Sequence, residues 1–397
     1  MRVLYSFPHA IGAPGIGTTA IHQVLGLLDR GHEVTVLATS LHKSAPKLPR
    51  ALTTMSMAGL RLPHRIVGMD RAMAYHDRRA ANHLRRHPLA FDIVHCWPGA
   101  TTRTARAARA AGIASVREAP NTHTAYAYKV VGEVCDLLGM QLPRGNSHRL
   151  NVKRLVREDA EYREALRLLA PSDYVARTFI DRGFEPERLL RHSYGFDPQS
   201  FSPQEAPRIG PLHAVFMGSI GPRKGLHVAL EAWRRAGAPE RARFSIYGKL
   251  VDGYQSTIAP YLSLPGVSLC GFTADPAGAL RASDVLVLPS FEEGSALVTY
   301  EAQGCGVAPL VSDASGAACT HNVTGLVHQA GNVDELAGHF RLLMDEPDRL
   351  LALRRNVIGG RGRLTWDAAA ERLEGCYQMA REAAGRRAPD YVESEAA

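Results

Sequence analysis

A chain of 397 residues, 45% of them hydrophobic, is longer than one core usually organises, so two domains are expected. No apolar run approaches the ~18 residues of a membrane span. The six cysteines are scattered without a C-x-x-C pair, against a disulfide scaffold or zinc ribbon and in keeping with a reducing, cytoplasmic setting. The formal charge of +8 divides unevenly: residues 1–195 carry 28 Lys and Arg against 16 Asp and Glu, the remainder 19 against 23.

The basic half suits either solvated arginine faces or an anionic partner such as a phosphorylated acceptor, a lipid headgroup or the inner face of a membrane. No nucleic-acid-binding module is recognisable. In chain order, Met1-Arg2 runs straight into a strand at Val3–Phe7, so no signal peptide is expected. A glycine-rich loop from Pro8 to Gly17 follows, then a helix capped by Thr18 or Thr19 and ended by Gly31, then the strand Glu33–Leu37. Gly15-Ile-Gly-Thr-Thr-Ala20 matches the G-x-G-x-x-A dinucleotide fingerprint. Its first glycine lies about eight residues past the strand, however, and Glu33 stands at the wrong end of the second strand to grip a ribose. Close approach of backbone amides to a phosphate or an acceptor is the alternative use of these glycines, and a plain flexible loop is the third.

Residues 43–90 are arginine-rich and read as helical, with mixed apolar and basic positions in His64–Tyr75. Strands at Asp92–Cys96 and Ala114–Glu118 would deliver His95, Glu118 and the following Asn121-Thr-His123 to a carboxyl-end rim. A helix over Lys153–Leu168, a strand near Leu169 and a helix capped by Ser172 complete the half, which closes on a strand and turn from Arg191 to Asp197. A polar, proline-rich linker, Pro198–Pro207, then separates a second run of alternating strands and helices, the pattern of a parallel sheet.

That second run holds two stretches with chemistry. Gly218-Ser-Ile-Gly-Pro-Arg-Lys-Gly225 follows the strand His213–Met217, and its glycines keep the turn tight while Arg223 and Lys224 project charge suited to a diphosphate. Pro289-Ser-Phe-Glu-Glu-Gly294 follows the strand Val285–Leu288 and opens a helix from about Ala296 to Gly304, with Glu293 in the loop and Glu301 on the helix. The bland reading is two unrelated surface acids. Another is a glycosidase carboxylate pair, which needs both carboxyls on one bond, whereas Glu301 looks directed along a nucleotide.

With these residues in view, the chain resembles the family-four retaining glycosyltransferases of GT-B architecture. The resemblance rests on Glu293 and Glu301 as an E-x7-E pair, on the turn GSIGPRKG, on Tyr194-Gly-Phe-Asp197 with Phe201, on LLDRGHEVTVL, and on Thr365-Trp366 before the last helix. It implies an α/β fold of two Rossmann-like domains facing a central cleft. Residues 1–197 would form an acceptor-binding domain completed by a crossover helix at 366–385, residues 198–365 a nucleotide-sugar domain, and 386–397 a disordered tail.

It further implies a retaining, metal-independent hexosyl transfer from a UDP- or GDP-sugar to a glycan, lipid-linked or anionic acceptor of a cell-envelope or polysaccharide pathway. No cofactor is implied. Lys224, aided by Arg223, would neutralise the diphosphate, Glu301 would take the ribose and Glu293 the sugar. The amides of Gly294, Ser295, Ala296 and Leu297 would face sugar and phosphate, Phe272 the base, and Gly15 the donor from across the cleft. His123, then His95, then Glu118 are the acceptor-side candidates, with His123 counted as catalytic beside Lys224 and Glu293. Two departures stand out. Ser219 occupies the position where the family usually has Arg, and Gly294-Ser-Ala replaces the usual glycine-aromatic-glycine. Ser219 keeps alive a non-catalytic sugar-nucleotide binder of the same fold, and the Gly15 fingerprint a nicotinamide oxidoreductase.

Overall fold

The computed structural model describes residues 1–57, 60–61, 68–204, 208 and 210–385. Two parallel sheets dominate them. The first has seven strands in the order β3-β2-β1-β6-β7-β8-β9, with β1 Arg2–Ile11, β2 Glu33–Leu41, β3 Ala51–Thr53, β6 Ile93–Cys96, β7 Ala114–Glu118, β8 Arg167–Ala170 and β9 Leu189–Arg191. The second has six in the order β12-β11-β10-β13-β14-β15, with β10 His213–Met217, β11 Arg243–Tyr247, β12 Val267–Gly271, β13 Val285–Leu288, β14 Ala308–Ser312 and β15 Leu326–His328. Two short strands, β4 Ser56–Met57 and β5 Leu60–Arg61, form an antiparallel pair apart from both.

Central strands such as Val285–Leu288 are buried throughout, as apolar runs covered by helices on both faces must be. In each sheet the strand order reverses beside the first strand, between β1 and β6 and between β10 and β13. Such switch points open a crevice at the carboxyl ends of the strands, and the turns after β10 and β13 lie there. Separate cores support the sheets, one around Trp233, Phe244 and Phe340, the other around Tyr5, Phe7 and Trp97.

The last helix, Trp366–Gly385, returns to the first sheet. Trp366 stacks on His22 with centroids 4.8 Å apart, and a Cβ on Gly26 would sit 2.5 Å from that of Ala370, so glycine lets the helices touch. Phe196 pairs with Thr365 where the chain crosses, and a Cβ on Gly195 would lie 2.5 Å from the backbone there.

Several local expectations change. β1 continues to Ile11 because Ala10 and Ile11 pair with Ser40 and Leu41 beyond a bulge. The helix then starts at Ile16 with Gly15 as its cap, so neither Thr18 nor Thr19 caps it. Among the described residues of 43–90, helix is found only at Met69–Arg86; Ala51–Thr53 instead adds an edge strand against Val36–Ala38. Residues 64–67 of the expected amphipathic stretch lie outside the described residues, as do 205–207 of the linker and the tail 386–397. The strand expected from Arg191 ends there, and 192–197 form the crossing. Helices at Thr102–Ala110 and Thr124–Leu137 went unread; the second mixes Val and Tyr with polar residues and lacks a clear helical stripe.

Candidate functional site

The turn after β10 is built around glycine. Gly225 has φ +67°, and a Cβ there would meet the carbonyl of Pro289 at 2.2 Å. At Gly218, φ +150°, a Cβ would press within 3.1 Å of the Lys224 stem. The turn therefore lies flush against the loop after β13, and Phe291 N donates to Arg223 O at 2.8 Å. This zippering brings the two cations to the acids: Lys224 Nζ lies 2.9 Å from Glu293 Oε1, and Arg223 Nη1 reaches the same oxygen. Burial disfavours the Glu293 charge, but Arg223 and then Lys224 hold its carboxyl below the usual range. Burial in turn lowers the Lys224 ammonium, opposed by Glu293.

Glu301, on the helix Leu297–Gly304, is placed differently. No partner meets its carboxylate among the described residues, and burial pushes its pKa up to about 7. The mouth of this helix has Ala296 at its cap with no side-chain hydrogen bond, so no capping side chain takes up the amides of Leu297 and Val298, while Thr299 N donates to Ala296 O at 3.0 Å. Ser295 is fixed rather than free: its hydroxyl lies 2.7 Å from Tyr300 OH and donates to Gly316 O at 3.1 Å. Gly294 is required by contact, since a Cβ would fall 1.8 Å from Pro120 O of the facing wall. Its carbonyl accepts from Ser172 Oγ at 2.5 Å. Phe272, just past β12, is 87% exposed, and Gly248 N donates to Gly271 O at 2.8 Å beside the turn after β10. Ser219 is exposed.

Across the cleft, a cavity of about 710 Å³ is lined by Ile16, Asn121, Thr122, His148, Arg149 and Arg157, among others. Gly15, φ +85°, caps the helix that brings Ile16 there. The three histidine and acid candidates sit elsewhere. His95 and Glu118 are fully buried. Glu118 accepts from His192 Nε2 at 2.9 Å, Tyr194 OH at 3.0 Å and Gln23 Nε2 at 3.2 Å, while His95 lies 2.7 Å from Tyr377 OH and 3.4 Å from Glu118. This sealed network ties the first sheet to the last helix and exposes neither side chain to a substrate, so neither is acceptor-side as expected.

His123 caps the helix Thr124–Leu137 by accepting from Ala125 N at 3.2 Å, and packs among Tyr162, Phe179 and Phe184. It faces a second cleft, of about 620 Å³, with Asp159 and Arg182. Burial, then Arg182 and Arg117, lower its pKa to about 4, so the ring is neutral near pH 7. His123 therefore lines this second cleft and not the 710 Å³ cavity.

Sequence reasoning missed Glu292, which is fully buried and reaches the first domain, together with Thr122 and His148. The doubled acid in Ser290-Phe-Glu-Glu-Gly294 was the available signal, because adjacent loop residues tend to face opposite ways.

Two facing parallel sheets with a nucleotide-type turn in the second define the GT-B class, and solved structures agree. Sucrose-phosphate synthase from Thermosynechococcus elongatus superposes with a TM-score of 0.68 at 16% identity, covering 95% of this chain and 98% of that one. Anabaena HepE in complex with UDP and glucose gives 0.66 at 16% identity, covering 95% and 99%. The family models "Glycosyltransferase Family 4" and "Glycosyl transferases group 1" match residues 14–200 and 211–346, and the chain belongs to glycosyltransferase family 4. Among curated relatives, a D-inositol 3-phosphate glycosyltransferase of Gordonia bronchialis is 30% identical over 272 residues, 62% of this chain and 59% of the relative. One from Thermobispora bispora is 34% identical over 111 residues, 28% and 26%. The chain thus spans between about a quarter and three fifths of the relatives it matches.

Proposed function

We propose that the protein is a retaining glycosyltransferase that moves a hexosyl unit from a nucleoside-diphosphate sugar to an anionic or glycan acceptor. The observation that carries this reading is the convergence of Lys224 and Arg223 on one oxygen of Glu293 at the cleft. A cation pair held there by a carboxylate is placed to exchange that contact for a diphosphate, and positive charge fixed beside the leaving group stabilises charge that develops as the glycosidic bond breaks. Glu293 then turns to hydroxyls of the sugar, Glu301 accepts from the ribose, the open amides after Ala296 face phosphate and sugar, and Phe272 borders the base.

Two side-chain cations at the diphosphate make a metal unnecessary in this reading. The same cations offset Ser219, since Arg223 brings the second charge from the other end of the turn, which favours turnover over a non-catalytic binder. The acceptor would occupy the cavity beside Thr122 and His148, in a domain whose cleft closes to exclude water. A UDP-sugar is the first donor to try, because HepE was solved with UDP and glucose. An anionic acceptor is suggested by relatives named for inositol 3-phosphate.

A thermal-shift screen over UDP, GDP, ADP and their sugars, followed by NMR assignment of the product anomer, tests the proposal. Stabilisation by one sugar nucleotide and a product that keeps the donor's configuration are expected. Inversion, or stabilisation by NAD alone, would overturn it.

A further inference from the structure

Glu292 has no part in the donor reading, yet it is the more deeply enclosed of the two adjacent acids, 0% exposed against 7% for Glu293. Its Oε1 accepts from Thr122 Oγ1 at 2.6 Å and from Thr122 N at 3.3 Å. Its Oε2 lies 3.4 Å from His148 Nε2 and 3.4 Å from Arg223 Nη1, and Arg223 also donates to its carbonyl at 2.8 Å. Thr122 precedes the helix Thr124–Leu137 of the first domain, and His148 lines the 710 Å³ cavity. Arg223, in contrast, belongs to the phosphate turn. One carboxylate thus joins the acceptor wall to a donor-turn cation. Despite burial its pKa is lowered to about 2, by His148, Arg223 and Thr122 together.

A carboxylate whose partners all lay in one domain would serve that domain's fold. Glu292 instead leaves its own domain for most of its side-chain partners, and a buried charge that loses its partners is strongly disfavoured. We propose that Glu292 is a positioning residue that makes the donor turn competent only when the first domain is docked. With Thr122 and His148 in place, its charge is shared, and Arg223 can bear on Glu293 beside Lys224. With the domains apart, the same carboxylate lacks those donors and holds Arg223 to itself, away from the diphosphate position. Donor activation is thereby tied to closure over the acceptor cavity, which suppresses transfer to water. The inference rests on the transferase reading above.

Three variants test it: the near-isosteric Glu292→Gln, Thr122→Val, and the double variant. Glu292→Gln should lower kcat about 10- to 100-fold, the scale of a displaced catalytic group. The ratio of donor hydrolysis to transfer should rise, because the neutral amide no longer holds Arg223 when the domains are apart. The double variant should lose no more than Glu292→Gln alone, since both act through one contact. Unchanged kcat with an unchanged hydrolysis ratio in Glu292→Gln, or losses that multiply in the double variant, would overturn the proposal. If the wild-type protein turns over no sugar nucleotide, the transferase reading fails by itself. Hydrogen exchange then decides the coupling: Glu292→Gln should deprotect the amides of both 121–124 and 223–225, and deprotection of one segment alone or of neither would refute it.

Discussion

On the wall formed by the second sheet, chain order and site order coincide; on the facing wall they do not. Lys224 follows β10 by seven residues, in a turn shaped by Gly218 and Gly225, and Glu293 follows β13 by five, in a loop that passes close to Pro120 at Gly294. The facing cavity draws Ile16, Asn121, Thr122, His148, Arg149 and Arg157 from four separate segments, and those of His148, Arg149 and Arg157 bear no local signature. Where a strand end and the next helix suffice to build a site, the sequence shows it. Where tertiary packing assembles the site, residues that look chemical from their neighbours, such as His95 and Glu118, can turn out to be interior joints.

The strongest way to break this contrast is Lys224→Ala. Loss of a preorganised charge at the leaving group should reduce transfer by about 10²–10³-fold with the fold intact by circular dichroism. A near-normal rate would remove the donor wall from the mechanism. Glu118→Ala probes the opposite wall and should act on stability instead. Stranding His95, His192 and Tyr194 in the interior should cost about 3–5 kcal/mol, read by chemical denaturation. Normal stability with a raised acceptor KM would restore Glu118 to the site. Because His192 and His95 hold its carboxyl well below 4.5, that stability is present above the ordinary carboxylate range and is lost as pH falls.

Glu301 sharpens the comparison through pH. Its carboxyl titrates near 7 in the fold against 4.5 when exposed, so the folded state favours its acid form and Glu301 subtracts from stability as pH rises between those values. The charged form is the better acceptor for ribose hydroxyls, so UDP affinity should climb about tenfold from pH 6 to 8. Glu301→Gln should flatten that rise, measured by calorimetry; an unchanged profile would dissociate Glu301 from the ribose. The smallest effect concerns the basic half. Leu150, Val152 and Val156 are exposed beside Arg149 and Lys153, near the cavity. Weak binding to anionic vesicles that fades above about 0.15 M salt is expected. Absence of co-sedimentation at low salt would leave the excess charge as solvated surface. Among the described residues no helix is long and apolar enough to cross a membrane.

Much of the fold was legible because both sheets use short, largely apolar strands alternating with helices, and the crossover was marked by Thr365-Trp366. The first domain's middle was not. Arginine-rich composition hid the edge strand Ala51–Thr53, whose pairing with β2 is decided by the sheet and not by local propensity. His123 was legible as a polar residue at a strand's end, but its use as a helix cap was not, because a position before a helix suits a cap as well as a ligand. Glu292 lay in plain view beside Glu293, but which of two adjacent acids faces which wall depends on the loop's path between the domains.

The central claim, that the second sheet holds the donor, is tested most directly by a crystal structure with a bound UDP-sugar. The account predicts the diphosphate within hydrogen-bond reach of Lys224 and the ribose on Glu301. A nucleotide lying instead on the Gly15 turn of the first domain, with Lys224 still paired to Glu293, would contradict it.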